Sequence, residues 1–165
     1  MTTTENPVTT AAPARLDIDA AAPAFSKAMS HLDNATNREL DRVGIDPLLR
    51  ELVKARVSQI NGCSYCIDMH TKDARAKGET EQRLYGLAAW RETPFFTERE
   101  RAALAFAEKV TLLAVDHVPG ADWDAAAAHF SPDELGALVA MITTINAWNA
   151  IGVTTHTWEV GSYQP

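Results

Sequence analysis

Residues 135–153, LGALVAMITTINAWNAIGV, set 19 consecutive positions without a charge near the end of a 165-residue chain. A run of that length has to be hidden from water, either in lipid or in protein. Thr143, Thr144, Asn146, Asn149 and Gly152 dilute it, and no basic flank marks one of its ends. Asp133 and Glu134 just before it read as the acidic first turn of a helix. The run therefore predicts a helix that is apolar nearly all round and buried on several sides, either at the centre of the fold or in a subunit contact. No membrane span is expected.

The rest of the chain reads as helix with explicit stops. Phe25, Met29, Leu32, Leu40 and Val43 follow helical spacing up to Gly44. Asp46-Pro47 opens a second helix as N-cap and first helical residue, with Leu49, Leu52, Val53, Val57 and Ile60 on its inner side until Asn61-Gly62 ends it. A third helix is predicted from about Ser64 to Lys77, closed by Gly78, and a fourth over about 80–90 before Glu92-Thr93-Pro94. Thr97 to Glu100 spell a capping box, and Ser131-Pro132-Asp133-Glu134 repeats that grammar ahead of the uncharged run. No segment alternates with period two, so the fold class expected is all-α. Residues 1–22, rich in Thr, Ala and Pro without periodicity, are expected to be a flexible arm, and residues 23–165 one helical domain. A chain this long buries roughly 70% of its unfolded surface around one core.

Net charge −7, with no local Lys/Arg cluster to offset it, argues against nucleic acid or an anionic membrane surface as main partner. The N-terminus lacks a basic stretch followed by a continuous apolar one, so no secretory signal is read and a cytoplasmic location is expected. In that compartment a close cysteine pair is catalytic, redox-sensing or metal-binding more often than a structural disulfide.

Both cysteines of the chain fall in NGCSYCIDMH, residues 61–70. On one helix Cys63, Cys66 and His70 stand at i, i+3 and i+7 and form a single stripe. Cys63 follows the Asn-Gly stop and so sits at the helix start, where free amides and the dipole favour a thiolate. Such a placement, a neighbouring imidazole and the Cys-x-x-Cys spacing bring a thiol pKa to roughly 3.5–7.5. A thiolate attacks electrophiles; with a peroxide it becomes sulfenic acid, and a second thiol one turn away closes a disulfide. His70 needs a partner for its second nitrogen, and Glu51 is the candidate. If the chain turns back at Gly62, Glu51 and His70 come within about 5 Å along the paired helix axes, a gap that a side chain and one water bridge.

Glu51, then Asn-Gly-Cys63-Ser-Tyr-Cys66, then His70, resembles the carboxymuconolactone decarboxylase superfamily, in its alkylhydroperoxidase D-like (AhpD-like) branch, and the likeness runs over roughly residues 24–155. The resemblance implies an all-helical subunit in a homo-oligomer, trimer or hexamer, that reduces hydroperoxides at the expense of an external dithiol or protein reductant and carries no cofactor. By position it makes Glu51 the distal acid/base acting through a water, His70 the shuttle, Cys63 the peroxide-reactive thiol and Cys66 the resolving one. Tyr65 stands where some relatives have a histidine between the cysteines.

Other readings are weighed against this one. The cysteines as small buried hydrophobes are the bland reading. Zinc on Cys63, Cys66 and His70, with a fourth ligand from His31, His117, His129 or His156, is a stronger rival, though no second ligand pair follows. A redox-responsive protein without turnover and lactone decarboxylase chemistry are the others; relatives with the latter activity lack the cysteine pair. Glu51 read alone would be a surface partner of Lys54. Tyr65, Met69, Trp90 and Trp148 are expected to pack or to line the approach, and Arg91, Arg99 and Arg101 to form a solvated face or an intersubunit edge.

Overall fold

A computed structural model describes residues 12–165; the part of the expected arm that falls on residues 1–11 lies outside them. The helices in chain order are α1 (Ile18–Ala21), α2 (Pro23–Val43), α3 (Pro47–Asn61), α4 (Ser64–Ala76), α5 (Glu81–Gly86), α6 (Glu98–Thr111), α7 (Leu113–Asp116), α8 (Gly120–Ala127) and α9 (Pro132–Thr155), with a 3-10 segment, Leu87–Glu92, between α5 and α6. There is no strand among the described residues, in agreement with the all-α expectation.

The uncharged run is the body of α9, whose Leu135, Leu138, Met141, Ile142 and Ile145 are buried. By length and hydropathy α9 would suffice to cross a membrane, but α2, α3 and α6 pack along it, as the core helix of a helical domain requires. Its polar residues are placed to bond inside the protein. Thr144 pairs with Thr36 of α2 at 2.9 Å, while Asn146 and Asn149 receive the Asn61 amide at 2.7 and 3.0 Å. Asn149, fully buried, also donates to Ser58 at 3.0 Å. The residues that dilute the run therefore fasten α9 to the end of α3, just ahead of the thiols.

The helix boundaries follow the local chemistry. Asp46 accepts the amides of Leu48 and Leu49 at 2.9 and 3.1 Å with Pro47 behind it, and both expected capping boxes, Thr97 with Glu100 and Ser131 with Glu134, are formed. Gly62 closes α3 at φ +72°, a left-handed conformation that costs other residues about 1–2 kcal/mol, and this bend folds α4 back onto α3.

The structure differs from the sequence reading in three places. The single helix expected over 80–90 is α5 followed by the 3-10 segment, with Ala89 out of helical geometry at φ −117°, ψ 34°. This break turns Trp90 inward, where its indole donates to Glu108 at 2.9 Å. The helix opened by the Thr97 box, with Ala103, Phe106, Val110 and Leu113 at helical spacing, ends at Thr111; Leu113 opens α7, and α8 follows where no element is read from sequence, with Trp123 edge-on against Phe106 at 5.9 Å. Within the expected arm, the amides of Arg15 and Leu16 bond the carbonyl of Thr155 at 2.8 and 3.2 Å, and Asp17 caps α1.

Arg91, Arg99 and Arg101, partly solvated as expected, also tie elements together. Arg91 pairs with Glu108, Arg99 with Glu134, and Arg101 donates to the carbonyls of Trp90, Arg91 and Thr93. Glu108 also receives Arg56 at 2.8 Å, so one nearly buried carboxylate holds α3, α6 and the 3-10 segment. Its pKa is lowered: burial works to raise it, and Trp90, Arg56 and Arg91 overcome that. Glu108→Ala is expected to cost about 3–5 kcal/mol, because it strands Arg56 and the Trp90 donor in a low-dielectric site. A chemical denaturation midpoint indistinguishable from wild type would refute this.

Candidate active site

The bend at Gly62 sets the geometry of the thiols. Cys63 is the N-cap of α4, and its sulfur accepts the amide of Cys66 at 3.4 Å. Sulfur thus occupies the place where a serine or aspartate oxygen usually receives the free amides of the first turn. Cys63 and Cys66 are joined as a disulfide with Cα atoms 5.3 Å apart, inside the ordinary range. Both are only 2% exposed.

Folding α4 back onto α3 brings His70 to Glu51. Nδ1 of His70 lies 2.9 Å from Oε2 of Glu51, and the two residues are 4% and 5% exposed. The expectation of a water between them is corrected: at this distance the contact is direct, because the two side chains together span the axial offset. Lys77 and Lys54 approach the other carboxylate oxygen at 3.3 and 3.7 Å. The Lys54 pair foreseen for a surface glutamate is therefore present, on a glutamate that is buried.

The electrostatics fix the proton positions. Burial would raise the Glu51 pKa, but the hydrogen bond from His70 and the charges of Lys54 and Lys77 prevail and hold it at about 2. For His70, burial prevails over the pull of Glu51 and, with the positive charge of Lys54, lowers its pKa below 6.5. At neutral pH the pair is carboxylate and neutral imidazole. An ionised carboxylate only accepts, so Nδ1 carries the proton and donates it, leaving Nε2 with its lone pair free. Nε2 is buried and finds no hydrogen-bond partner among the described residues. It is a base held in the correct tautomer by the carboxylate behind it.

His70 and Cys66, one turn apart on α4, line the same cavity of about 270 Å³. Tyr65, Met69, Trp148 and Trp158 form much of its wall. Trp158 lies 5.4 Å from the Tyr65 ring and 5.7 Å from that of Trp148. On the other side of the imidazole, Glu51, Asp73, Lys77 and Tyr163 line a recess of about 440 Å³, which gives the carboxylate a route for proton exchange. Ligand atoms of Glu51, His70 and Asp73 come within 4.8 Å of one another, as a metal site requires. Lys54 and Lys77 already neutralise this carboxylate, and Tyr163 donates to Asp73 at 2.7 Å, so these acceptors are engaged. The zinc set of Cys63, Cys66 and His70 is not available in the disulfide form, because a metal needs thiolates.

Of the residues singled out in the sequence, Glu51, Cys63, Cys66, His70, Tyr65, Met69 and Trp148 are gathered here. Trp90 belongs to the Glu108 cluster instead. Gly152 and Trp158 were missed. A Cβ on Gly152 would meet Sγ of Cys63 and the Trp158 ring, each at 3.1 Å, so any larger residue there would push the sulfur or the indole aside. A glycine inside a helix, at about 1 kcal/mol against alanine, was the available signal.

Residues 23–109 match the carboxymuconolactone decarboxylase family. The uncharacterized protein YdfG of Bacillus subtilis is 42% identical over 132 residues, which cover 80% of this chain and 87% of that protein. A crystal structure from Agrobacterium tumefaciens, of a protein of unknown function that carries the AhpD designation, superposes with TM-score 0.82 at 35% identity, covering 93% of this chain and 99% of that one. The debrominase Bmp8, crystallised with 2,3,4-tribromopyrrole, shares the fold at TM-score 0.70 and 18% identity, over 87% of this chain and 74% of its own.

Both ionisation shifts act on stability with the same sign. A glutamate whose folded pKa is depressed to about 2 from 4.5 adds stability above pH 4.5 that disappears as pH falls toward 2. A histidine held neutral below its ordinary 6.5 likewise favours the unfolded state as pH drops through 6.5. The stability gap between wild type and Glu51→Gln should therefore narrow as urea titrations move from pH 6 to pH 3; a constant gap would contradict an ionised Glu51. With its capped thiols and anchored imidazole, the chain belongs to the carboxymuconolactone decarboxylase family, in its AhpD-like branch.

Proposed function

We propose that the protein is a thiol peroxidase that reduces organic hydroperoxides through a Cys63–Cys66 disulfide cycle. The observation that carries this is the buried, unpartnered Nε2 of His70, which shares a cavity with Cys66 while Glu51 holds the ring in the base tautomer. In the reduced protein a thiol passes its proton to Nε2, and the imidazolium is stabilised by the Glu51 carboxylate. The thiolate attacks the distal peroxide oxygen, the O–O bond breaks, and the alkoxide leaves as alcohol with the proton from His70. The resulting sulfenic acid condenses with the neighbouring thiol, expelling water and closing the disulfide before further oxidation. An external dithiol or protein reductant restores both thiols, and no bound cofactor takes part.

The aromatic wall of Tyr65, Trp148 and Trp158 supports organic peroxides over hydrogen peroxide, since a flat apolar group gains by burial there. It also supports a second reading, debromination of an aromatic substrate, the activity named for Bmp8. A homo-oligomer, trimer or hexamer, in the cytoplasm completes the proposal. Half-exposed Phe25 and Leu32 on α2 support self-association.

One equivalent of cumene hydroperoxide added to reduced protein should give a species lighter by two hydrogens and crosslinked between positions 63 and 66; an uncrosslinked product rejects the cycle. Cys63→Ser and Cys66→Ser should each abolish dithiol-dependent turnover. His70→Ala should lower kcat/KM for peroxide by about 100-fold or more with the fold intact. The base form of His70 is the active one, and its pKa is lowered, so activity should persist below pH 6.5 and the acidic limb should vanish in His70→Ala. An acidic limb well above pH 6.5 would exclude His70 as the base.

A further inference from the structure

The two sulfurs of the disulfide open onto different cavities. Cys66 lines the aromatic one with His70, and Cys63 does not. Cys63 lines a larger cavity of about 590 Å³, and Cys66 does not. Tyr65 and Trp158 border both, and their rings, tilted at 32° with centroids 5.4 Å apart, form the partition. The larger cavity lies between Ala14 of the N-terminal segment and Gly152, His156, Thr157 and Glu159 at the end of α9 and beyond. Nothing in the peroxide chemistry above uses it.

Gly152 shapes this cavity. A side chain there would begin 3.1 Å from the Cys63 sulfur. Gly152 and the Trp158 ring therefore pack close to that sulfur, which contributes to the cavity wall beside them. Thiol–disulfide exchange is in line: the incoming sulfur, the attacked sulfur and the leaving sulfur are collinear, and access decides which sulfur is attacked. A nucleophile in the larger cavity meets Cys63 first. The same cavity holds His156, held at the end of α9 in a left-handed conformation with φ +50°. The other ionisable groups on its wall are Glu159 and Tyr65, while Arg15 binds the nearby carbonyl of Thr154.

We propose that this cavity is the binding site for the reducing dithiol, which enters the disulfide at Cys63 with His156 as general base. The inference rests on the thiol-peroxidase reading. His156 takes the proton of the first substrate thiol. The thiolate attacks Sγ of Cys63, the Cys63–Cys66 bond breaks, and its electron pair leaves on Cys66. The second substrate thiol then attacks the mixed disulfide, closes the oxidised ring of the reductant and frees Cys63. Two electrons pass from the dithiol to the protein, and its two protons end on Cys63 and Cys66. Lined by Ala14, Val153 and Thr157 with the acidic Glu159 at hand, the cavity suits an uncharged dithiol better than an anionic one. Cys66 is released beside His70, ready for peroxide, which reverses the order of the two thiols implied by the family resemblance.

The test follows the reduction of isolated oxidised protein, with no peroxide present. 2-Mercaptoethanol with an acid quench and alkylation should yield a mixed disulfide, and tandem mass spectrometry should place the adduct on position 63. An adduct on position 66 overturns the proposal. With dithiothreitol, Val153→Trp should lower the ratio of the reduction rate constant to the peroxide oxidation rate constant by at least about 10-fold, and an unchanged ratio counts against the site. His156→Gln should slow reduction by about 100-fold and remove a limb from its pH profile. A slowed reduction with the profile unchanged would make His156 structural and reject its role as base. Failure of these reductions leaves the peroxide half-reaction to be judged by its own crosslink, so the two readings fall separately.

Discussion

The hydrogen bond between Glu51 and His70 is the contact on which the site depends. It joins α3 to α4 across the Gly62 bend, sets the tautomer of the imidazole, and keeps a charged carboxylate inside the protein where two lysines can neutralise it. Each feature requires the others. Without the left-handed Gly62 the helices would not fold back. Without Lys54 and Lys77 the burial of the carboxylate would be offset by His70 alone, and its pKa would rise. Removal of burial would leave the pull of Glu51 unopposed by desolvation and raise the histidine pKa.

Much of this was legible in the chain because it is written in local rules. Stops at Gly44 and Gly62, the Asp46-Pro47 start and the two capping boxes depend on a few adjacent residues, and the helices begin and end there. Cys63, Cys66 and His70 share a stripe because helical spacing alone puts them there. Glu51 needed the back-folding argument, and that argument erred only in its last step, placing a water where two side chains reach each other directly.

What was not legible depends on distant partners. The break at Ala89 makes sense only once Glu108, on another helix, is seen to accept the Trp90 indole. Arg99 and Arg101 sit among acidic neighbours in sequence yet spend their donors on Glu134 and on backbone carbonyls. Gly152 acquires meaning only from the Cys63 sulfur and the Trp158 ring, each of which a Cβ there would meet at 3.1 Å, and no window along the chain displays it. The asparagines of α9 lie between these cases. They were visible as interruptions of an apolar run, and the structure adds that they anchor it to the thiol-bearing bend.

After α9 the chain turns across the outer side of α4. Tyr163 bonds Asp73, the carbonyl of Tyr163 receives Lys72, and the amide of Gly161 bonds Asp68. This fastening sets the Trp158 indole against Tyr65, the residue between the two cysteines, and a few ångströms from the Cys63 sulfur. Disulfides quench nearby indole emission and thiols do so less, so the chain carries an intrinsic optical readout of its own oxidation state, requiring neither label nor added dye.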